Sequence, residues 1–271
     1  MVEHTDRMPV VYLPHGGGPW PFVSDPMGEP EALSRMADYM RGLSALPPRD
    51  PTAVLLISAH WEERVATVMT SPSPPMLYDY YGFAPEAYEV TWPAPGSPTL
   101  AARVRDLLSA AGIDSAEDAR RGFDHGTFVP MKLAYPNAEV PTTQLSLVTG
   151  LDPSAHLAIG RALAPLRDEG VFIVGSGMSY HNLRAFFVSG AAAEPSREFD
   201  AWLTETTSLD REQRDRRLAE WESAPSARAC HPREEHLLPL MVIAGAAGDD
   251  RAHVEYRDVL MGAHVSAHHF G

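Results

Sequence analysis

Four short apolar runs, rich in β-branched residues, constrain this 271-residue chain more than any other feature. They are residues 9–13 (PVVYL), 53–58 (AVLLIS), 142–147 (TTQLSL) and 170–175 (GVFIVG), each of a length that suits a buried strand. Helical patterns stand between them. Stretches 30–43 and 98–111 carry apolar residues at mixed three- and four-residue spacing, and 153–168 opens on an Asp152-Pro153 cap. Strands alternating with helices predict an α/β fold, with a mainly parallel sheet covered on both sides. Weak alternation over 253–260 and 264–270 predicts added edge strands. The charged stretch 195–222 predicts a solvated helical outer layer, and the Pro-, Tyr- and Gly-rich stretch 72–98 a long ordered loop.

Charge and cysteine content exclude several classes of function. With 22 basic against 36 acidic residues the formal charge is −14, which disfavours nucleic acid and anionic membranes as partners. Cys230 is the only cysteine, so an internal disulfide and a thiolate-rich zinc site are both ruled out. The start, MVEHTDRMPVVYLPHGGG, has no basic region followed by a long apolar stretch, so no secretory leader is expected. No apolar run approaches bilayer length. The expectation is a cytoplasmic enzyme formed by one catalytic domain over residues 1–271.

The twelve histidines are informative through their positions. His15 ends VVYLPH, His60 ends AVLLISAH, and His181 closes VFIVGSGMSYH. Three strand signals thus deliver a histidine at or just past the carboxyl end, where open α/β sheets bind ligands. One such histidine would be unremarkable as a core or loop residue; three in the same topological position predict a shared crevice. The glycines after His15 lack both a P-loop lysine and GxGxxG spacing, and no GxSxG nucleophile elbow occurs to complete a hydrolase. They suit a backbone passing close to a metal or substrate.

Two further segments contribute histidines. In HPREEHLLPL (231–240), Pro232 fits the first turn of a helix, and His236, Leu240 and Ile243 would then share its inward face. His231 would lie at the helix entrance, rotated by roughly 140° and poorly placed to bind the same ion, which makes His236 the better ligand candidate. In GFDHG (122–126), His125 beside glycine and a carboxylate suits an acid/base or substrate contact, or a turn histidine without a role.

PHGGGP (14–19), SAHW (58–61), PAPGSP (93–98), GFDHG (122–126), SGMSYHNLR (176–184) and EHLLPL (235–240) occur in that order. As an ordered set they resemble the class III extradiol dioxygenases, in particular the DOPA-dioxygenase-like branch. The resemblance implies a single three-layer α/β/α domain around a central mixed sheet. It implies metal binding by His15, His60 and His236, with His181 beside the metal as a further ligand or a catalytic base. His125 falls at a position of substrate binding and proton transfer. His231 matches no fixed role, and the loop with Tyr78, Asp79 and Phe83 resembles a variable substrate region. The implied reaction is Fe(II)-dependent opening of a DOPA-like catechol by O2 to a semialdehyde. An all-histidine site also suits zinc. A zinc hydrolase or lyase, or a non-catalytic metal-binding relative, are therefore the alternatives on the same residues.

Overall fold

In the computed structural model, residues 6–23 and 29–271 are described, and the four apolar runs form the middle of one sheet. The first five residues of the leader reading lie outside the described residues. In chain order the elements begin with β1 (Val10–Pro14), α1 (Pro30–Gly42), β2 (Ala53–Glu63) and β3 (Ala66–Met69). Next come α2 (Pro98–Ala110), β4 (Ser115–Asp118), α3 (His125–Ala134), β5 (Thr142–Val148), α4 (Pro153–Leu163) and β6 (Val171–Gly177). The chain continues through α5 (Leu183–Phe186), α6 (Ala193–Ser208), α7 (Arg211–Ala219), α8 (Ala227–Cys230) and α9 (Leu238–Ala247). It closes with β7 (Ala252–Leu260) and β8 (Ala263–Phe270).

The strand order is β4-β3-β5-β2-β6-β1-β8-β7. The block β5-β2-β6-β1 is parallel, whereas β3–β5, β1–β8 and β8–β7 are antiparallel, so the sheet is mixed. Side chains alternate along a strand, which assigns the covering helices. Ser176 reaches α3 through a hydrogen bond to the Gly126 carbonyl, whereas its neighbours Gly175 and Gly177 open toward α9 and the residues leading into it. Helices α3 and α9 therefore cover opposite faces, giving three layers. Helix α1 packs beside α3, and α4 packs on α9. Gly160 of α4 and Gly245 of α9 bring those two backbones into direct contact, since a Cβ at either would collide with a carbonyl oxygen of the other helix. The cap read from sequence is present, Asp152 accepting from the Ser154 amide, and Ser97 likewise caps α2 by accepting from the Leu100 amide.

Three expectations need correction. β8 is an interior strand, bonded to β1 as well as β7, and only β7 forms an edge on that side. The stretch 195–222 is packed rather than merely solvated. Phe199, Leu203 and Trp221 are buried, and buried Arg214 donates to the Ala244, Gly248 and Asp250 carbonyls at the end of α9. The helix expected from Pro232 begins only at Leu238. Pro239 lacks the N–H that would bond the Glu235 carbonyl. The His236 carbonyl is already taken, by the Tyr12 hydroxyl at 2.8 Å and the Met178 amide at 3.1 Å. Among the described residues no helix is long and apolar enough to cross a membrane.

Candidate active site

Five histidines meet around the carboxyl-terminal ends of β1, β2 and β6. His15 follows β1 directly. His60 lies inside β2, which runs on to Glu63 because its pairing with β5 shifts between Ile57 and Glu62. An irregularity of this kind re-aims side chains locally, and it turns His60 toward His15. The two Nε2 atoms are 2.9 Å apart. His125 is the first residue of α3, with its ring centroid 4.0 Å from that of His60. His181 follows β6, and its ring stacks on His236 at 3.4 Å and 22°. His236 sits in the turn before α9. A Cβ at Gly177 would strike its carbonyl, so glycine is what lets this turn approach β6.

One nitrogen of most of these rings is already committed. The Ser176 hydroxyl donates to the Gly126 carbonyl, so toward His15 Nδ1, 3.0 Å away, it can only accept. His15 Nδ1 therefore carries a proton and Nε2 a lone pair. Glu235 Oε1 is 2.8 Å from His236 Nδ1 and 3.0 Å from His181 Nδ1. Burial works against ionisation of Glu235, but the hydrogen bond and charge of His181 and the charge of Arg233 hold its pKa below the ordinary value. An ionised carboxylate only accepts, so both Nδ1 atoms donate to it. Asp79 Oδ1 accepts from the His125 amide at 3.0 Å and from His125 Nδ1 at 2.8 Å. Burial opposes this ionisation too, yet His125 and His60 hold Asp79 down to about 2.

The rings themselves are poor homes for protons. Burial, followed by repulsion from the neighbouring histidines, holds His15 and His236 well below the ordinary imidazole pKa and lowers His60 to about 4. Near neutral pH these are unprotonated nitrogen donors. His15, His60 and His236 each offer a nitrogen within 4.8 Å of the others, which fits a metal cation. Two further groups also meet that distance: His60, Asp79 and His125, and His181, Glu235 and His236. His15 Nε2 and His60 Nε2, at 2.9 Å, can share either a cation or the single ring proton of a neutral His60. A cavity of about 230 Å³ opens beside the five rings.

All five sequence-identified histidines are thus brought together, and His231 is not among them. It is fully buried, its Nε2 3.0 Å from the Ser179 carbonyl and its ring against Phe199 and Trp221. It is a packing residue, and the helix whose entrance it was expected to mark begins only at Leu238. Asp124 is not the acidic partner of His125 either. It is buried and accepts from Ser58, Arg121 and Gln144, tying α3 to β2 and β5. The partner is Asp79, from the loop 72–98, which a search for local pairs around His125 misses. Glu235 was visible next to His236, but its service to two rings was not.

Comparison with known proteins identifies the family. Residues 28–268 match the family described as the catalytic LigB subunit of aromatic ring-opening dioxygenase. The chain is 39% identical over 280 residues to the dioxygenase tasH of Hapsidospora irregularis, covering 97% of this chain and 85% of that one. It is 41% identical over 206 residues to the 4,5-DOPA dioxygenase extradiol of Beta vulgaris, covering 74% and 75%. The 4,5-DOPA dioxygenase extradiol of Escherichia coli K12 is 32% identical over 248 residues, covering 91% and 88%. A crystal structure of an uncharacterized protein from Escherichia coli K12 superposes with a TM-score of 0.79 at 30% identity, covering 98% of this chain and all of that one. This chain belongs to the class III extradiol aromatic ring-opening dioxygenases.

Proposed function

We propose that the chain is a single catalytic domain, working in the cytoplasm, that binds Fe(II) and opens a side-chain-bearing catechol beside its diol using O2. The observation that carries this reading is the commitment of the His15 and His236 Nδ1 atoms to Ser176 and Glu235. It frees the opposite nitrogen of each ring to face His60. His15, His60 and His236 would hold the iron. Bound there, Fe(II) would supply a Lewis acid for the diol oxygens and an electron route to O2.

The protein's own groups account for the proton traffic. His125 has Nδ1 fixed on Asp79, leaving Nε2 as the free nitrogen of a ring that lines the cavity. It is the acid/base that returns a proton during ring opening. His181 belongs to a separate nitrogen group with Glu235 and His236 rather than to the three-nitrogen set, and it acts as the base that takes a diol proton. Glu235 stabilises the charge that His181 then carries. Met178 and Leu260, buried beside the rings, exclude water from that side of these transfers. The test is anaerobic loading with Fe(II), then addition of a catechol panel and oxygen in an oxygen electrode. Catechol-dependent O2 uptake is expected. Ester or amide turnover by the zinc-loaded protein, with no O2 uptake, would overturn the reading.

A further inference from the structure

The cavity has two chemically distinct ends. Its floor is the five histidines and the Gly16-Gly17-Gly18 backbone, and its remaining walls are Met178, Leu183, Phe186, Phe187, Leu260 and Met261. Every lining side chain beyond the histidines is apolar among the described residues. Among the described residues no lysine or arginine lines it, and the stretches outside them, MVEHT and SDPMG, contain neither. Arg184 and Arg233 line the adjoining groove instead, and Arg233 is already paired with Glu62 and Glu235. Asp79 and Glu235 stand directly behind the rings, and the chain carries a net charge of −14.

A catechol oriented with its diol toward the histidines must lay its ring substituent against these apolar walls. A carboxylate laid against Met178, Phe186 and Leu260 would lose water without gaining a cation or a hydrogen-bond donor from those side chains. We propose that the site selects catechols whose ring substituent is apolar, and discriminates against carboxylate-bearing ones such as DOPA itself. This rests on the catechol reading above. Leu183 and Phe187, 57% and 78% exposed, form the rim of the cavity, and an apolar substituent lying across them would cover them. At about 230 Å³ the space suits one ring with a short chain.

The decisive pair is 4-propylcatechol and 3-(3,4-dihydroxyphenyl)propionate, which share a two-methylene chain and differ in ending in a methyl group or a carboxylate. Anaerobic calorimetric titration of the Fe(II)-loaded protein reads binding, and oxygen uptake reads kcat/KM. Tighter binding and higher kcat/KM for 4-propylcatechol, by roughly 10–100-fold, are expected. Equal values, a preference for the acid or for DOPA, or binding of neither would overturn the proposal. The predicted binding preference without O2 uptake would support the cavity's selectivity while sinking the dioxygenase reading. The substitution Leu183→Arg, at an exposed rim position, should move the ratio toward the acid by about tenfold. An unchanged ratio would show that the substituent does not lie against α5.

Discussion

Glu235→Gln isolates the carboxylate behind the metal-facing rings. In the native chain one ionised oxygen accepts from His236 Nδ1 at 2.8 Å and stands 3.0 Å from His181 Nδ1. Glutamine keeps the volume and one carbonyl acceptor, but it loses the charge, and its amide nitrogen cannot accept. Charge-assisted hydrogen bonds are roughly twice as strong as neutral ones. Removing the carboxylate behind a ligating histidine typically costs 10–100-fold in metal affinity, or about 1.4–2.8 kcal/mol. The upper part of that range is expected, because the same oxygen orients a second ring. Competition of Fe(II) or Zn(II) against a chromophoric chelator at neutral pH reads the affinity. Arg233→Ala is the control. That arginine is 56% exposed and 3.5 Å from Glu235, so its loss should change affinity by no more than ~1 kcal/mol. A Glu235→Gln protein that binds metal as tightly as the native chain would refute the orienting role.

His15→Ala and His60→Ala should each abolish metal binding and ring cleavage together, and stoichiometric metal in both would remove the site as drawn. His125→Phe should keep its metal while kcat falls roughly 10²–10⁴-fold; unchanged turnover at full occupancy would make His125 a packing residue. His236→Ala should lose most bound metal. His231→Ala should bind metal normally yet lose roughly 2–5 kcal/mol of stability on emptying a buried site, checked by denaturant titration beside metal analysis. The metal-free fold should weaken in acid. Burial holds His231 and His269 down to about 4 and His268 to about 3, whereas unfolded histidine titrates near ~6.5. The unfolded chain therefore binds more protons in that window. Stability is full above pH ~6.5 and falls toward pH ~4 by up to ~1.4 kcal/mol per pH unit per group. A melting temperature that stays flat across this window, measured with chelator present, would contradict it.

The periodicity of the chain was enough for the sheet's centre, because β-branched runs buried on both faces have few alternative structures. It was enough for three of the histidines, because position after a strand is a local property. It failed where tertiary contacts decided. The helix at Pro232 looked sound until the Tyr12 and Met178 donors claimed the His236 carbonyl, although Pro239 was an available warning. His236 does lie in the histidine cluster, but the helical register that pointed to it does not exist. The Asp79–His125 pair joins residues 46 positions apart, and no local pattern carries it. The placement of β8 against β1 is likewise a long-range choice that weak alternation cannot reveal.

Whether the five-histidine site performs ring-opening dioxygenation is tested most directly with labelled oxygen. The Fe(II)-loaded protein, mixed with 4-propylcatechol and ¹⁸O2, should consume O2 and catechol in equal amounts. Both labelled atoms should appear in a ring-opened product, before any exchange of the aldehyde oxygen with water. The His60→Ala protein treated identically should yield none. Release of labelled hydrogen peroxide with an intact ring or a quinone, or a product whose new oxygen comes from water, would contradict the account.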